Sequence, residues 1–199
     1  MRKLGIMTLC VLMMALTACS GGKETSPKEV VTSFLNAYQK KDEEQIRSLS
    51  EWKDYDVKAL QIQDSDYIDG VDKSLQKEVY EMMMDFDHKE LSEKINEDAA
   101  TVEVEMTIYN FNAAAEEGMK EATKKIEELS KQEDVSDAQV QNEITKILFT
   151  NMKKAKKDKK QKITINLKKD GKSWIVANDN ADIQNLLIEN SQAFESAGH

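Results

Sequence analysis

An α+β fold is predicted by three stretches of the chain. Between Ser26 and Tyr38 apolar residues recur at helical spacing behind a serine cap, and between Ala100 and Phe111 they alternate strictly with polar ones. Ile163, Ile165 and Leu167 are followed by Asp170-Gly171 and then by Trp174-Ile175-Val176, the pattern of two strands joined by a tight turn. Helices come first and strands follow, so an antiparallel sheet should pack on N-terminal helices.

The first helix opens at Ser26-Pro27-Lys28-Glu29, which combines a capping serine, a proline at the first helical position and a glutamate placed to complete a capping box. Val30, Val31, Phe34, Leu35 and Tyr38 form its apolar stripe. Asp42 reads as the cap of a shorter helix carrying Ile46 and Leu49. From Glu51 to Asp72 the pattern loosens; Val57, Leu60 and Ile62 suggest a short strand or an irregular edge. The acidic stretch Asp64 to Asp72 invites a calcium reading, but the third aspartate falls one place late for an EF-hand loop and no glutamate closes it. Capping aspartates in a solvated loop account for it better.

Leu75, Val79, Met82, Met83 and Phe86 mark a helix expected to lie against the sheet that follows, with Met82 to Met84 as adaptable core filler. His88 to Glu97 reads as a strand, Asn96-Glu97-Asp98 as a turn, and Ala100 to Phe111 as a strand with Val102, Val104, Met106 and Ile108 inward. Asn112 to Lys157 then carries two helical seams, Ala115, Met119, Ala122, Ile126 and Leu129 on one and Val140, Ile144 and Ile147 on the other. Ser136 and Gln139 form a second capping box between them, so the pair reads as an antiparallel helical hairpin inserted at 112–161. Its end, residues 153–162, holds seven lysines and one aspartate. Contact with anionic headgroups or a wall polymer is one use for such a run; a solvated helix end complementing the helix dipole is the simpler one. Asp179 is expected to cap a last helix with Ile183, Leu186 and Leu187.

The N-terminus carries the sharpest motif. Arg2 and Lys3 precede an apolar run of 13 residues, Leu4 to Leu16, too short to span a bilayer, which takes about 20. Leu16-Thr17-Ala18-Cys19 resembles the lipobox of bacterial lipoproteins, in which a cysteine thiol takes a diacylglyceryl group and the chain is cut just before it. The resemblance implies a signal peptide at 1–18, a lipid attached at Cys19, a tether at 19–26, a single domain over 27–199, and a place on the outer face of the cell membrane.

Removing the signal leaves 181 residues, with 26 basic against 37 acidic side chains and a formal charge of −11. That sign argues against nucleic acid as a partner. Cys10 leaves with the signal and Cys19 is acylated, so no thiol remains for a disulfide or a metal. Of two histidines, His199 is the last residue, which leaves no ligand set for zinc. No cofactor is expected.

The order of helices, strands and a closing hairpin, carried by Val30 to Tyr38, Thr101 to Phe111 and Lys162 to Val176, is similar to the nuclear transport factor 2-like, or cystatin-like, fold. That resemblance implies a curved sheet wrapped on long helices as a cone, of a kind found in lipoproteins of Gram-positive bacteria, many of unknown function. In it the cone serves binding in some members and isomerase or hydrolase chemistry in others. Trp52, Tyr55, Tyr109 and Trp174 are the aromatics that could line it. Acid–base candidates are His88, Asp85, Asp87 and the tyrosines, in no recognisable constellation, so a small isomerase- or hydrolase-like enzyme is the least favoured expectation. A non-catalytic module binding a small ligand or peptide is therefore the first expectation. An envelope interaction protein docking through the helical hairpin is the second, and apolar residues left exposed on that hairpin would favour it.

Overall fold

The computed structural model describes residues 25–52 and 67–183. The signal segment with Cys19, the suggested strand at 57–62, Tyr55, and most of the last helix lie outside the described residues. The elements, in order, are α1 (Pro27–Gln39), α2 (Glu43–Leu49), α3 (Lys73–Met84), β1 (Asp87–Asn96), β2 (Ala99–Tyr109), α4 (Phe111–Leu129), α5 (Asp137–Met152), β3 (Lys157–Asp170) and β4 (Ser173–Val176). The fold is α+β, with one open antiparallel sheet in the order β1-β2-β3-β4.

Local chemistry sets the helix starts. The Ser26 hydroxyl accepts from the Glu29 amide at 3.2 Å while the Glu29 carboxylate takes the Ser26 amide at 2.8 Å, so the capping box forms as its sequence requires. Asp42 caps α2, Asp72 caps α3, and Ser136 caps α5 with its own capping box.

Two apolar cores result. In the larger one, Val30, Val31, Phe34, Leu35 and Tyr38 of α1 and Ile46 of α2 meet Val102, Val104, Met106 and Ile108 of β2, Ile163, Ile165 and Leu167 of β3, and Trp174 and Val176 of β4. The smaller joins Val71 and Val79 to Phe111, Phe149 and Met152 of the helical hairpin, with Leu75, Met82 and Met83 against it. α3 thus rests chiefly on the hairpin, where the sequence suggested the sheet. Only its C-terminal end reaches the sheet core, through Met84 and the following Phe86. The apolar spacing of α3 marks a buried face without naming the surface that buries it.

Strand limits differ from expectation at two places. β2 stops at Tyr109 because Asn110 turns to cap α4, accepting from the Ala113 amide at 3.3 Å; Phe111 is helical. β3 begins at Lys157, five residues before the expected Lys162, so most of the lysine run is strand and not a helix end. It pairs with β2 from Tyr109↔Lys157 onward, and Lys160 and Lys162 meet Glu105 and Glu103 across the outer face at 2.9 and 3.0 Å.

The sheet ends at one side in the Glu97–Asp98 turn and in the β3–β4 turn, where Gly171 takes a φ of 62° that suits glycine. Its opposite end carries the helical hairpin. β1 is an edge strand with a bulge between Glu90 and Ser92, and the Lys28 ammonium donates to the Leu91 carbonyl there at 3.3 Å.

Candidate functional site

α1 lies along β1 in the opposite direction. Its first turn meets the middle of β1, the Lys28 amide donating to the Glu93 carboxylate at 3.1 Å, and its last turn reaches the start of β1, where the Gln39 side-chain amide donates to the Phe86 carbonyl. His88, Glu90 and Gln161 of the sheet's inner face stand toward this second end, while Glu93 and Lys169 lie toward the other. His88, Met106 and Gln161 form one row across β1, β2 and β3, and Met106 is buried, so His88 and Gln161 point to the α1 side of the sheet.

His88 is held on two sides. Its Nδ1 lies 2.9 Å from a Glu90 carboxylate oxygen and its Nε2 3.4 Å from Asn36 Oδ1 on α1. Both the His88 and Glu90 side chains are mostly buried, at 11% and 16% exposed. The Phe86 ring packs against the imidazole at a centroid distance of 6.2 Å. Deeper in, Tyr38 sits 6.4 Å from Phe86 and edge-on to Trp52 at 5.9 Å, and Phe34 is edge-on to the same indole at 5.3 Å.

Three polar atoms of this interior are buried without a hydrogen-bond partner among the described residues: Tyr38 Oη, Trp52 Nε1 and Gln161 Oε1. Burial pushes the Tyr38 phenol far above its ordinary pKa, so it remains a neutral O–H. The set offers a phenol that can donate or accept, an indole that only donates and an amide oxygen that only accepts.

Asp85 and Asp87 stand apart from this interior, where α3 ends and β1 begins. Lys157 bonds both, at 2.8 Å to Asp85 and 3.0 Å to Asp87, and Tyr109 donates to Asp85 at 3.1 Å. Partial burial works against the Lys157 charge, but the two carboxylates hold its pKa above the ordinary range. Desolvation, then the bond to Asp85, raises the Tyr109 phenol. The group ties strand starts and helix end together as a network of ion pairs.

The sequence-derived aromatics therefore divide. Trp52 and Trp174 both belong to the larger core, 6% and 4% exposed, with the Lys169 ammonium over the Trp174 ring at 5.3 Å. Tyr109 is stacked on Phe111 by the hairpin base. Of the three that fall within the described residues, Trp52 is linked to His88 through the rings of Tyr38 and Phe86. In the sequence Tyr38 reads as one residue of a helical stripe and, with the other tyrosines, as an acid–base candidate, whereas Gln161 is hidden in a run of lysines. Among the described residues no three His, Cys, Asp or Glu side chains gather as a metal site, and no helix is long and apolar enough to cross a membrane.

No family model matches the chain, and no curated protein does. Among solved structures, the chain is similar to one titled as that of a "putative lipoprotein (ycdA)" from Bacillus subtilis, with a TM-score of 0.40 and 15% sequence identity, over 59% of this chain and 38% of that one.

Proposed function

We propose that the protein is a lipid-anchored, extracytoplasmic binding module whose ligand enters between the C-terminal half of α1 and the inner face of β1–β3. The observation that carries this is the trio of buried polar atoms, Tyr38 Oη, Trp52 Nε1 and Gln161 Oε1, without partners among the described residues. A buried donor or acceptor left unpaired costs about 1–3 kcal/mol, so three in one core point to a guest that pairs with them. The guest needs both donors and acceptors, with apolar surface for Phe34, Phe86 and Met106. A peptide-like amide meets that description. His88, Glu90 and Asn36 stand at the same end of α1, and their mutual hydrogen bonds suit a positioning role. Asp85 and Asp87, bound to Lys157, suit structure better than acid–base chemistry.

Tyr38→Phe tests the proposal. Without ligand the variant should be as stable as the parent or more so in urea denaturation, because it removes an unpaired hydroxyl. With N-acetylated amino-acid amides as probes, the parent should show a thermal shift that Tyr38→Phe and Trp52→Phe reduce. A loss of about 1 kcal/mol in ligand-free Tyr38→Phe would mean that the hydroxyl is hydrogen-bonded within the chain, and the proposal would fall.

A second reading, docking of an envelope partner through the hairpin, is favoured by one observation. Met119 and Ile126, expected in the seam between α4 and α5, are 47% and 40% exposed. A photo-crosslinker at Ile126 that captures a defined envelope protein in cells, while one at Lys131 in the loop beyond α4 does not, would support it.

A further inference from the structure

We infer that the sheet end formed by the β1–β2 and β3–β4 turns lies against the bilayer that holds the Cys19 anchor, with Ile95 in the headgroup layer and the hairpin carried away from the surface. The inference rests on the lipid anchor proposed above and adds an orientation to it.

Chain length and the place where α1 begins give the first support. Seven residues, Ser20 to Ser26, separate Cys19 from α1 and reach at most about 25 Å. Ser26 stands next to Lys28, whose amide and ammonium meet Glu93 and Leu91. Glu93 is three residues from the end of β1 at Asn96, or about 10 Å along the strand. The β3–β4 turn is at that same end, since Ala99 pairs with Lys168 and the Lys169 amide donates to the Asp98 carbonyl at 2.8 Å. The hairpin leaves from the other end, across the eleven residues of β2, about 35 Å away. A short tether entering at one end of the sheet holds that end nearest the lipid.

Exposure gives the second. Ile95 is the most exposed large apolar side chain among the described residues, at 56%. It pairs with Ala100, which pairs with Leu167, and both partners are buried. Ile95 therefore continues the inner apolar row of the sheet past the first turn of α1, on the face against which α1 packs. Lys94 beside it and Lys172 in the neighbouring turn are exposed, as are Glu97, Asp98 and Asp170 of the same turns, so the apolar side chain and the tether, not net charge, favour this end. By contrast the lysine run at 153–162 begins at the far end, and Lys153, Lys157, Lys160 and Lys162 are engaged with Glu78, Asp85 and Asp87, Glu105 and Glu103.

The test uses the full-length lipidated protein in vesicles of phosphatidylglycerol and phosphatidylcholine. With Cys10 removed and Cys19 acylated no other thiol is present, so Ile95→Cys and Ser130→Cys can each carry a nitrobenzoxadiazole fluorophore. The label at 95 should be blue-shifted and shielded several-fold from an aqueous quencher relative to the label at 130, beyond the far end of α4. Equal quenching at both positions, in protein whose mass shows the diacylglyceryl group, would overturn the orientation and leave the anchor standing. A mature chain whose mass lacks that group would overturn the anchor and, with it, the orientation.

Discussion

Asn180 shows how a single side chain completes the sheet. β4 pairs with β3 only from Leu167 to Asp170, so the β3 backbone before that point needs other partners. Asn180 accepts from the Asn166 amide at 2.7 Å and donates to the Asn166 and Ala177 carbonyls at 3.1 and 2.7 Å, while Asp182 accepts from the Thr164 amide at 3.1 Å. Two side chains thus satisfy the edge at Thr164 and Asn166, just before the residues that β4 covers. Asn180 itself is buried; Asn180→Ala leaves the Asn166 amide and the Ala177 carbonyl short of partners, while the Asn166 carbonyl keeps the Ala177 amide at 3.0 Å, and should cost about 1–3 kcal/mol in urea denaturation. A loss below about 0.5 kcal/mol, the scale of an ordinary surface substitution, would mean that water replaces the amide. No motif announces this role, because an Asn-Asp-Asn sequence after a strand reads simply as turn and cap. The interior acceptor Gln161 is hidden for a related reason: lysines on both sides of it mask the two-residue alternation that would mark it as inward.

At the scale of elements, capped helices and alternating strands were legible and the faces of the hairpin were not. Ser26-Pro27-Lys28-Glu29 and Ser136 with Gln139 place helix starts because their hydrogen bonds are local. The seam between α4 and α5 is set by a pair of helices, and there spacing misleads. Gly118 and Ala122 are the buried residues along the middle of α4, with Leu148 buried on α5, while Met119 and Ile126 turn outward. Gly118 permits the approach: a methyl group there would stand 3.1 Å from Leu148 Cδ2 and 3.3 Å from Asn151 Cβ. A small residue inside a helix predicted from large apolar ones is easily passed over, yet it fixes which face is inside. Gly118→Val should force the helices apart and destabilise the protein by about 1–3 kcal/mol, the usual cost of overpacking. An unchanged urea midpoint would show that Leu148 moves aside without penalty.

The whole molecule is divided between two cores. The larger one contains no residue of α4 or α5, and the smaller one is built on them. Replacing residues 111–156 with a Gly/Ser linker should therefore leave α1 and the sheet folded, with a cooperative thermal transition, but uncover Val71 and Val79 and release α3. Faster amide exchange at Leu75 to Met83, with protection retained at Val102 to Met106, is the expected result in hydrogen-exchange mass spectrometry. Loss of protection at both would show that the cores fold as one. A hairpin with no contact beyond its own seam would leave α3 unaffected.

The bulge at Leu91 bears on the crowding that the proposed lipid anchor would bring, with many copies on one membrane. Proteins tethered to a surface meet at raised local concentration, which favours even weak contacts between them, and a ten-residue edge strand would offer each neighbour a template for strand addition. The extra residue breaks the ladder at mid-strand, Lys28 occupies the carbonyl left outward, and Lys89, Glu93 and Lys94 place charge along the rest. On the proposed anchor, this one irregular peptide would keep a crowded layer of these molecules from knitting into a continuous sheet.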